Sequence, residues 1–157
     1  MKKEITIEYQ ELASAAELEA DDKRLLDEAE RITSASHSPY SGFHVGAAVM
    51  LGNGEILSAA NQENEAFPSG LCAERSVLFY TFSKFPDVPI TAIAIVAKRG
   101  DRLTDEPTRP CAACIQVMLD AENRAGKPVK IILGSAGKIE VINSVHDLLP
   151  FAFNNLK

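Results

Sequence analysis

Hydrophobic positions along this chain change period several times, and each change marks an element. Ile5, Ile7 and Tyr9 alternate with polar residues, the pattern of a short strand at an edge or of a flexible start. Leu12 to Ala20 is rich in alanine and glutamate and predicts a helical turn or a linker. Leu25, Leu26, Ala29 and Ile32 then recur at helical spacing, with Asp21 or Asp22 as the expected N-cap. That helix ends before His37-Ser38-Pro39, since proline disfavours a helical predecessor, and Pro39 to Gly42 reads as a turn. Phe43 to Leu51 predicts a strand whose small residues Gly46, Ala47 and Ala48 let something pack closely. Gly52-Asn53-Gly54 turns it into a second strand, Glu55 to Ala60, making a hairpin. From Ala73 to about Phe82 the chain is apolar almost throughout past Arg75, which predicts a helix buried on most sides. Ile90 to Ala97 reads as a central buried strand and Arg99 to Pro110 as a polar loop. Ile115, Met118, Leu119 and Glu122 give an amphipathic helix with Gly126 just beyond its end. Val129 to Leu133 and Lys138 to Ile142 are further strands, and Ser144 to Leu149 is a short helix stopped by Pro150.

Strands alternating with helices in the second half imply parallel neighbours in one sheet covered by helices. The fold class expected is α/β, three layers around a mixed sheet. At 157 residues the chain is most simply one domain with a real core, and its 46% hydrophobic content is that of a globular protein. A net charge of -6 argues against a nucleic-acid surface, which needs clustered Lys and Arg. Met1-Lys2-Lys3-Glu4 leads into no long apolar run, so neither a secretory signal nor a membrane span is expected, and the cytoplasm is the default location.

The chemistry lies between residues 72 and 114. Cys72-Ala73-Glu74-Arg75 and Pro110-Cys111-Ala112-Ala113-Cys114 hold all three cysteines, an odd number that reads better as ligands or free thiols than as disulfides. Both fragments fall just ahead of a predicted helix, whose partly positive N-terminus favours thiolates. Cys111 and Cys114 lie one turn apart, on one side of their helix, and Cys72 on another element would complete a three-point grip on zinc. Three ligands and an open position are the mark of a catalytic zinc site. Glu74 is two residues beyond Cys72 and points elsewhere round the helix, which suits a carboxylate working beside the metal. Three thiolates leave zinc with a net negative charge, and Arg75 is the residue expected to offset it. Two other readings exist. A Cys-x-x-Cys pair alone also fits a redox couple, which leaves Cys72-Ala73-Glu74 unexplained. A structural zinc site would need a fourth ligand from His37, His44 or His146, and none stands at ligand spacing from a cysteine.

Cys72-Ala73-Glu74-Arg75 followed by Pro110-Cys111-x-x-Cys114 resembles the zinc-dependent nucleoside deaminases. Pro39-Tyr40-Ser41-Gly42-Phe43 with Val45-Gly46-Ala47-Ala48, then Asn61-x-Glu63-Asn64 and Leu148-Leu149-Pro150-x-x-Phe153, narrow the resemblance to the homotetrameric cytidine deaminases. It covers about residues 25 to 153, leaving residues 1–20 as an N-terminal extension ahead of a single catalytic domain, 21–157. The resemblance implies an α/β/α sandwich, taken here with five strands, and one Zn²⁺ per subunit on Cys72, Cys111 and Cys114. It makes Glu74 the proton shuttle and gives the Ala73 N–H to the pyrimidine carbonyl oxygen. Asn61 and Glu63 would bind the ribose hydroxyls, Phe43 would pack on the base, and Phe153 would complete the pocket of a neighbouring subunit in a homotetramer. The family often has Gly and Arg where this chain has Ala112 and Ile115, and Ala and Tyr where it has Glu65 and Phe67. Glu65 is expected to repel a 5′-phosphate and favour free nucleosides.

The activity implied is hydrolysis of cytidine and 2′-deoxycytidine to the uridines and ammonia, within pyrimidine salvage. The alternatives are a deaminase of another aminated heterocycle, such as blasticidin S, and a non-catalytic zinc-stabilised binding protein. The pair Asn61 and Glu63 speaks for a nucleoside, and an intact Glu74 against the non-catalytic reading.

Overall fold

Seven strands form one mixed sheet in the computed structural model, which describes residues 1–154. They are β1 (Gln10–Leu12), β2 (Phe43–Leu51), β3 (Ile56–Ala60), β4 (Ile90–Arg99), β5 (Arg102–Leu103), β6 (Lys130–Gly134) and β7 (Ile139–Ile142). The order is β1-β7-β6-β4-β2-β3, with β5 folded back on the end of β4. Among the described strands the one parallel pairing is β4 with β6, Ala92 facing Lys130 through Val96 facing Gly134. Seven strands replace the five expected. The additions, β1 and β5, are three and two residues long, too short for a two-residue period to register. The N-terminal strand also starts later than its pattern suggested. Ile5, Ile7 and Tyr9 lie outside any strand and about half exposed, and pairing with β7 begins at Gln10.

Alternation within the strands splits the core into two layers. Val49, Leu51, Ile93, Ile95, Ile131 and Leu133 face one side, where they pack with Val77 and Leu78 of α2 (Ala73–Lys84) and Met118 and Leu119 of α3 (Ala112–Ala125). Ala48, Met50, Ala92, Ala94, Val96 and Ile132 face the other, against Leu25, Leu26 and Ala29 of α1 (Ala20–Ile32). Each large apolar side chain buried in these layers contributes about 1.5–3 kcal/mol. On the α1 side the helix sits very close to the sheet. A Cβ on Gly46 would lie 2.1 Å from the Ala29 carbonyl oxygen, and one on Gly134 would lie 2.7 Å from Leu26 Cδ1. The small residues of β2 therefore serve close packing, as their sequence suggested.

The helices depart from expectation in two places. α1 begins after Glu19, which makes no side-chain cap; Asp21 and Asp22 occupy its first turn, where the helix dipole favours acids. Asp22 is buried and accepts a hydrogen bond from Lys130 Nζ at 2.6 Å. α2 is covered on one side only: Val77, Leu78 and Thr81 are buried, but Phe79 and Tyr80 are about half exposed. Apolar composition reports hydrophobicity, and it cannot say how many sides of a helix a single chain covers. α3 ends as predicted at Gly126, in the left-handed region with φ +64°. The buried Glu122 carboxylate accepts from Val129 N (2.9 Å), Val145 N (2.8 Å) and Ser144 Oγ (2.7 Å). It thereby ties α3 to the start of β6 and to the 3-10 turn Val145–Asp147.

Residues ahead of α1 join the fold from Gln10 onward. Leu12, Ala15 and Leu18 pack on the α1-side core, and Ser14 caps the 3-10 turn Ala15–Glu17 in a capping box. No helix among the described residues is long and apolar enough to cross a membrane. Pairing directions fix what matters for the site. β3 and β4 are each antiparallel to β2 and so run the same way. α2 follows β3 and α3 follows β4, so both helices start from the carboxyl-end side of the sheet, the usual place for an α/β site.

Candidate active site

Topology brings the two cysteine fragments together. Cys72 is the N-cap of α2 and Cys111 the N-cap of α3, both with extended backbone, and Cys114 lies in the first turn of α3. The three Sγ atoms are all within 4.8 Å of one another, and those of Cys111 and Cys114 are 3.4 Å apart. Sulfurs of a tetrahedral zinc site with Zn–S near 2.3 Å stand about 3.8 Å apart, so these thiols fit the ion with little movement. Among the described residues the cluster has three members, leaving a fourth position open. None of the three histidines belongs to it: His44 Nδ1 meets Ser38 Oγ at 3.0 Å and His146 Nε2 lies 3.8 Å from Glu122. The structural-zinc alternative therefore lacks its fourth ligand. Three thiols at this spacing are a donor set that fits a zinc ion.

The electrostatics are those of a thiol cluster that shares its protons. Cys72 is held down to about 5, first by the hydrogen bond from Cys114 and further by the Arg75 guanidinium, against the opposing effect of burial. Cys114 is pushed up, first because it gives that hydrogen bond to Cys72 and then by burial. A dication replaces such protons when it binds. Arg75 Nη2 lies 3.8 Å from Cys72 Sγ, and its buried Nε has no hydrogen-bond partner among the described residues. Ala73 and Glu74 form the first turn of α2. Glu74 is only 4% exposed, and burial pushes its carboxyl above the ordinary carboxylate range. A carboxyl group so placed can hold a proton that a solvated one would release.

Beside the cluster a cleft of about 330 Å³ is lined by residues including Tyr40, Asn61, Glu63, Phe67, Cys72 and Arg75. Its wall is a small backbone ladder. Gln62 pairs with Leu71 through two 2.9 Å hydrogen bonds, His37 N donates to Asn61 O (3.1 Å), and Glu63 N donates to His37 O (2.7 Å). This ladder leads from the end of β3 to Cys72. It needs Gly70, where a Cβ would lie 3.0 Å from the Gln62 carbonyl oxygen. Asn61 Oδ1 accepts from Val45 N (2.8 Å) and Ser36 Oγ (2.6 Å), while its Nδ2 donates to Phe43 O (2.9 Å). Glu63 Oε2 accepts from Tyr40 N (2.9 Å) and Ser41 N (3.3 Å), and its carboxyl is held below the ordinary range, first by its hydrogen bond to the Ser41 side chain. Both residues thus shape the loops around the cleft as well as lining it.

Of the residues singled out in the sequence, Cys72, Cys111, Cys114, Glu74, Ala73 and Arg75 cluster at the two helix starts, and Asn61 and Glu63 line the adjoining cleft. Phe43 and Phe153 are not among its lining residues. The Arg99 guanidinium stands 4.9 Å from the Phe43 ring centre. Phe153 is 64% exposed, and its carbonyl accepts from Gln116 Nε2 at 2.9 Å. Sequence reasoning overlooked Gln62, Leu71 and Ser36. Gly70, a point where backbones meet closely, is a signal for Gln62 and Leu71; none in the sequence points to Ser36.

Residues 19–127 match the cytidine and deoxycytidylate deaminase zinc-binding region. The chain is 37% identical over 134 residues to a cytidine deaminase of Halalkalibacterium halodurans, covering 85% of this chain and 94% of the relative. A cytidine deaminase of Sporosarcina psychrophila is 34% identical over 85% of this chain and 92% of its own. In three dimensions the fold is similar to the cytidine deaminase of Burkholderia pseudomallei, with a TM-score of 0.71 and 33% identity over 83% of this chain and 97% of that one. The Mycobacterium tuberculosis cytidine deaminase gives 0.67 at 28% identity, over 87% of this chain and 99% of that one. Cluster, cleft and fold thus converge with the sequence comparisons, and the chain belongs to the cytidine and deoxycytidylate deaminase zinc-binding family.

Proposed function

We propose that this protein hydrolyses cytidine and 2′-deoxycytidine to uridine and 2′-deoxyuridine, releasing ammonia. The observation that carries the reading is the three-thiol cluster with one open position, beside buried Glu74 and a cleft lined by Asn61 and Glu63. Cys72, Cys111 and Cys114 hold one Zn²⁺ per subunit, and the ion, when bound, supplies Lewis acidity toward a water molecule. Arg75 offsets the negative charge of the thiolates.

Glu74 carries the protons. Its carboxylate takes one from the water that attacks C4, delivers it to ring N3, and later passes one to the departing amine. The C–N bond breaks and a C=O bond forms, so cytidine and water balance uridine and ammonia. Burial suits Glu74 to this cycle, because a carboxyl pushed upward keeps a proton more readily and can act in turn as base and acid. The Ala73 N–H holds the pyrimidine carbonyl oxygen at the start of α2, where the helix dipole favours partial negative charge. Asn61 and Glu63 bind the ribose hydroxyls and hold C4 in place, a contribution of orientation. Phe43, which does not line the cleft of the single chain, is assigned to pack against the base by the family motif alone.

The working form is a homotetramer in the cytoplasm, acting in pyrimidine salvage on free nucleosides, with residues 21–157 as its catalytic domain. Phe153 completes the cleft of a neighbouring subunit. Support comes from large apolar side chains left exposed on one chain, Phe79, Tyr80, Phe151 and Phe153. The deciding experiment follows the ultraviolet spectrum of cytidine with purified protein, with and without a chelator. Conversion that stops on chelation is the expected result; no conversion by protein with its full zinc complement overturns the reading.

A further inference from the structure

A chain of side chains ends on Asn61. Its amide is fixed in one orientation, since Oδ1 takes the Val45 N–H at 2.8 Å and Nδ2 gives to the Phe43 carbonyl at 2.9 Å. Oδ1 has a second close neighbour, Ser36 Oγ at 2.6 Å. An amide oxygen can only accept, so Ser36 donates its single hydroxyl proton there. Ser36 Oγ is also 3.1 Å from Ser38 Oγ, and Ser38 Oγ is 3.0 Å from His44 Nδ1. Ser36, having spent its proton, accepts from Ser38, and Ser38, having spent its own, accepts from His44. Three contacts and two hydroxyl protons leave the third proton to Nδ1. The polarity of the chain is therefore set from its Asn61 end.

We infer that Ser36 is a positioning residue for ribose recognition, bracing the backbone-oriented Asn61 carboxamide with one further hydrogen bond, at the end of a chain that runs back through Ser38 to His44. One Nδ2 hydrogen of Asn61 has no partner among the described residues, and Asn61 lines the cleft beside Cys72. Ser36 holds the amide so that this hydrogen stays available to a sugar hydroxyl. His44 in this arrangement is the Nδ1–H tautomer when neutral. The inference rests on the nucleoside reading proposed above.

The test compares kcat/KM of the zinc-loaded enzyme on cytidine and on 2′,3′-dideoxycytidine, which lacks the hydroxyls Asn61 would contact. Ser36→Ala lowers the cytidine value about five- to tenfold, the size of one hydrogen bond, and lowers the dideoxy value much less. Ser36→Thr, which keeps the hydroxyl, recovers most of the lost preference. An equal fall on both substrates means a merely structural role and overturns the proposal, as does a preference unchanged in Ser36→Ala. Where Ser36→Ala does not fold, Ser38→Ala is read instead; a smaller fall in the same ratio supports the chain and an unchanged ratio sinks it. Wild-type enzyme that deaminates neither compound overturns the deaminase reading itself, which is a different failure. A ¹⁵N spectrum placing the neutral His44 proton on Nε2 breaks the chain independently.

Discussion

The two faces of the sheet both bury their side chains and do different things with that burial. On β4 the alternation is literal: Ile93 and Ile95 face α2 and α3, while Ala92 and Ala94 face α1. Large residues on one side support two helices side by side, and their N-termini converge on the thiol cluster. Small residues on the other side let one helix press against the strands, closely enough that Gly46 has no room for a Cβ. The α1 face holds the sheet together; the α2–α3 face holds the site. Deep burial on both faces therefore predicts similar stability costs and different chemical costs.

The largest effect belongs to the site face. Glu74→Gln leaves the three thiols untouched and removes the group that moves protons, so turnover falls about 10²–10⁴-fold while zinc content stays at one per chain. Stability changes little or rises. Burial already drives this carboxyl toward its neutral form, and a neutral amide of the same shape avoids the larger cost of burying a charge. A mutant with near-normal turnover would remove Glu74 from the chemistry, and one that lost its zinc would make it part of the metal site.

A matched pair of core truncations tests the division directly. Leu25 is fully buried on the α1 face, and Met118, 1% exposed, sits one helical turn beyond Cys114 on α3. Each cut to alanine costs about 2–5 kcal/mol in urea unfolding. Only Met118→Ala also speeds zinc release, followed with a colorimetric chelator under conditions where both variants remain folded. Equal release rates would mean that the faces are not separable.

Legibility in the sequence follows the range of the forces involved. The β2–β3 hairpin announced itself through Gly52-Asn53-Gly54, and the end of α3 through Gly126, because turn chemistry is local. β5 carries no pattern in the sequence, and the N-terminal strand lies at Gln10–Leu12 and not at the alternating Ile5, Ile7 and Tyr9, because a few backbone hydrogen bonds define both elements. The half-exposed Phe79 and Tyr80 were read as buried because composition says nothing of how many sides one chain can cover. At the site, Cys72, Cys111, Cys114 and Glu74 were legible since metal chemistry restricts residue type and spacing. Asn61 and Glu63 stood out only through their motif, and their bonds to Val45, Phe43, Tyr40 and Ser41 could not be read at all. Those bonds span 16 to 23 residues and depend on where β2 and β3 place the loops.

The smallest effect lies on the α1 face, where the N-terminal segment is tied to β7. Lys138 Nζ stands 3.0 Å from both Glu11 and Glu106, and these carboxylates, Glu11 first, hold its ammonium up to about 12. A folded-state value above the unfolded one means that folding is favoured by the charged form. The contribution is complete below the ordinary lysine value of 10.5 and disappears as the pH climbs through about 12. All three side chains meet solvent, where screening keeps such pairs weak. Lys138→Gln therefore lowers Tm only slightly at neutral pH, and the gap from the wild type narrows as the melts are repeated at rising alkaline pH. Turnover does not change, because no part of the thiol cluster or the cleft touches this corner. A gap that persisted once the lysine had lost its charge would show that Lys138 acts through something other than its charge, and altered turnover would mean that the two faces communicate.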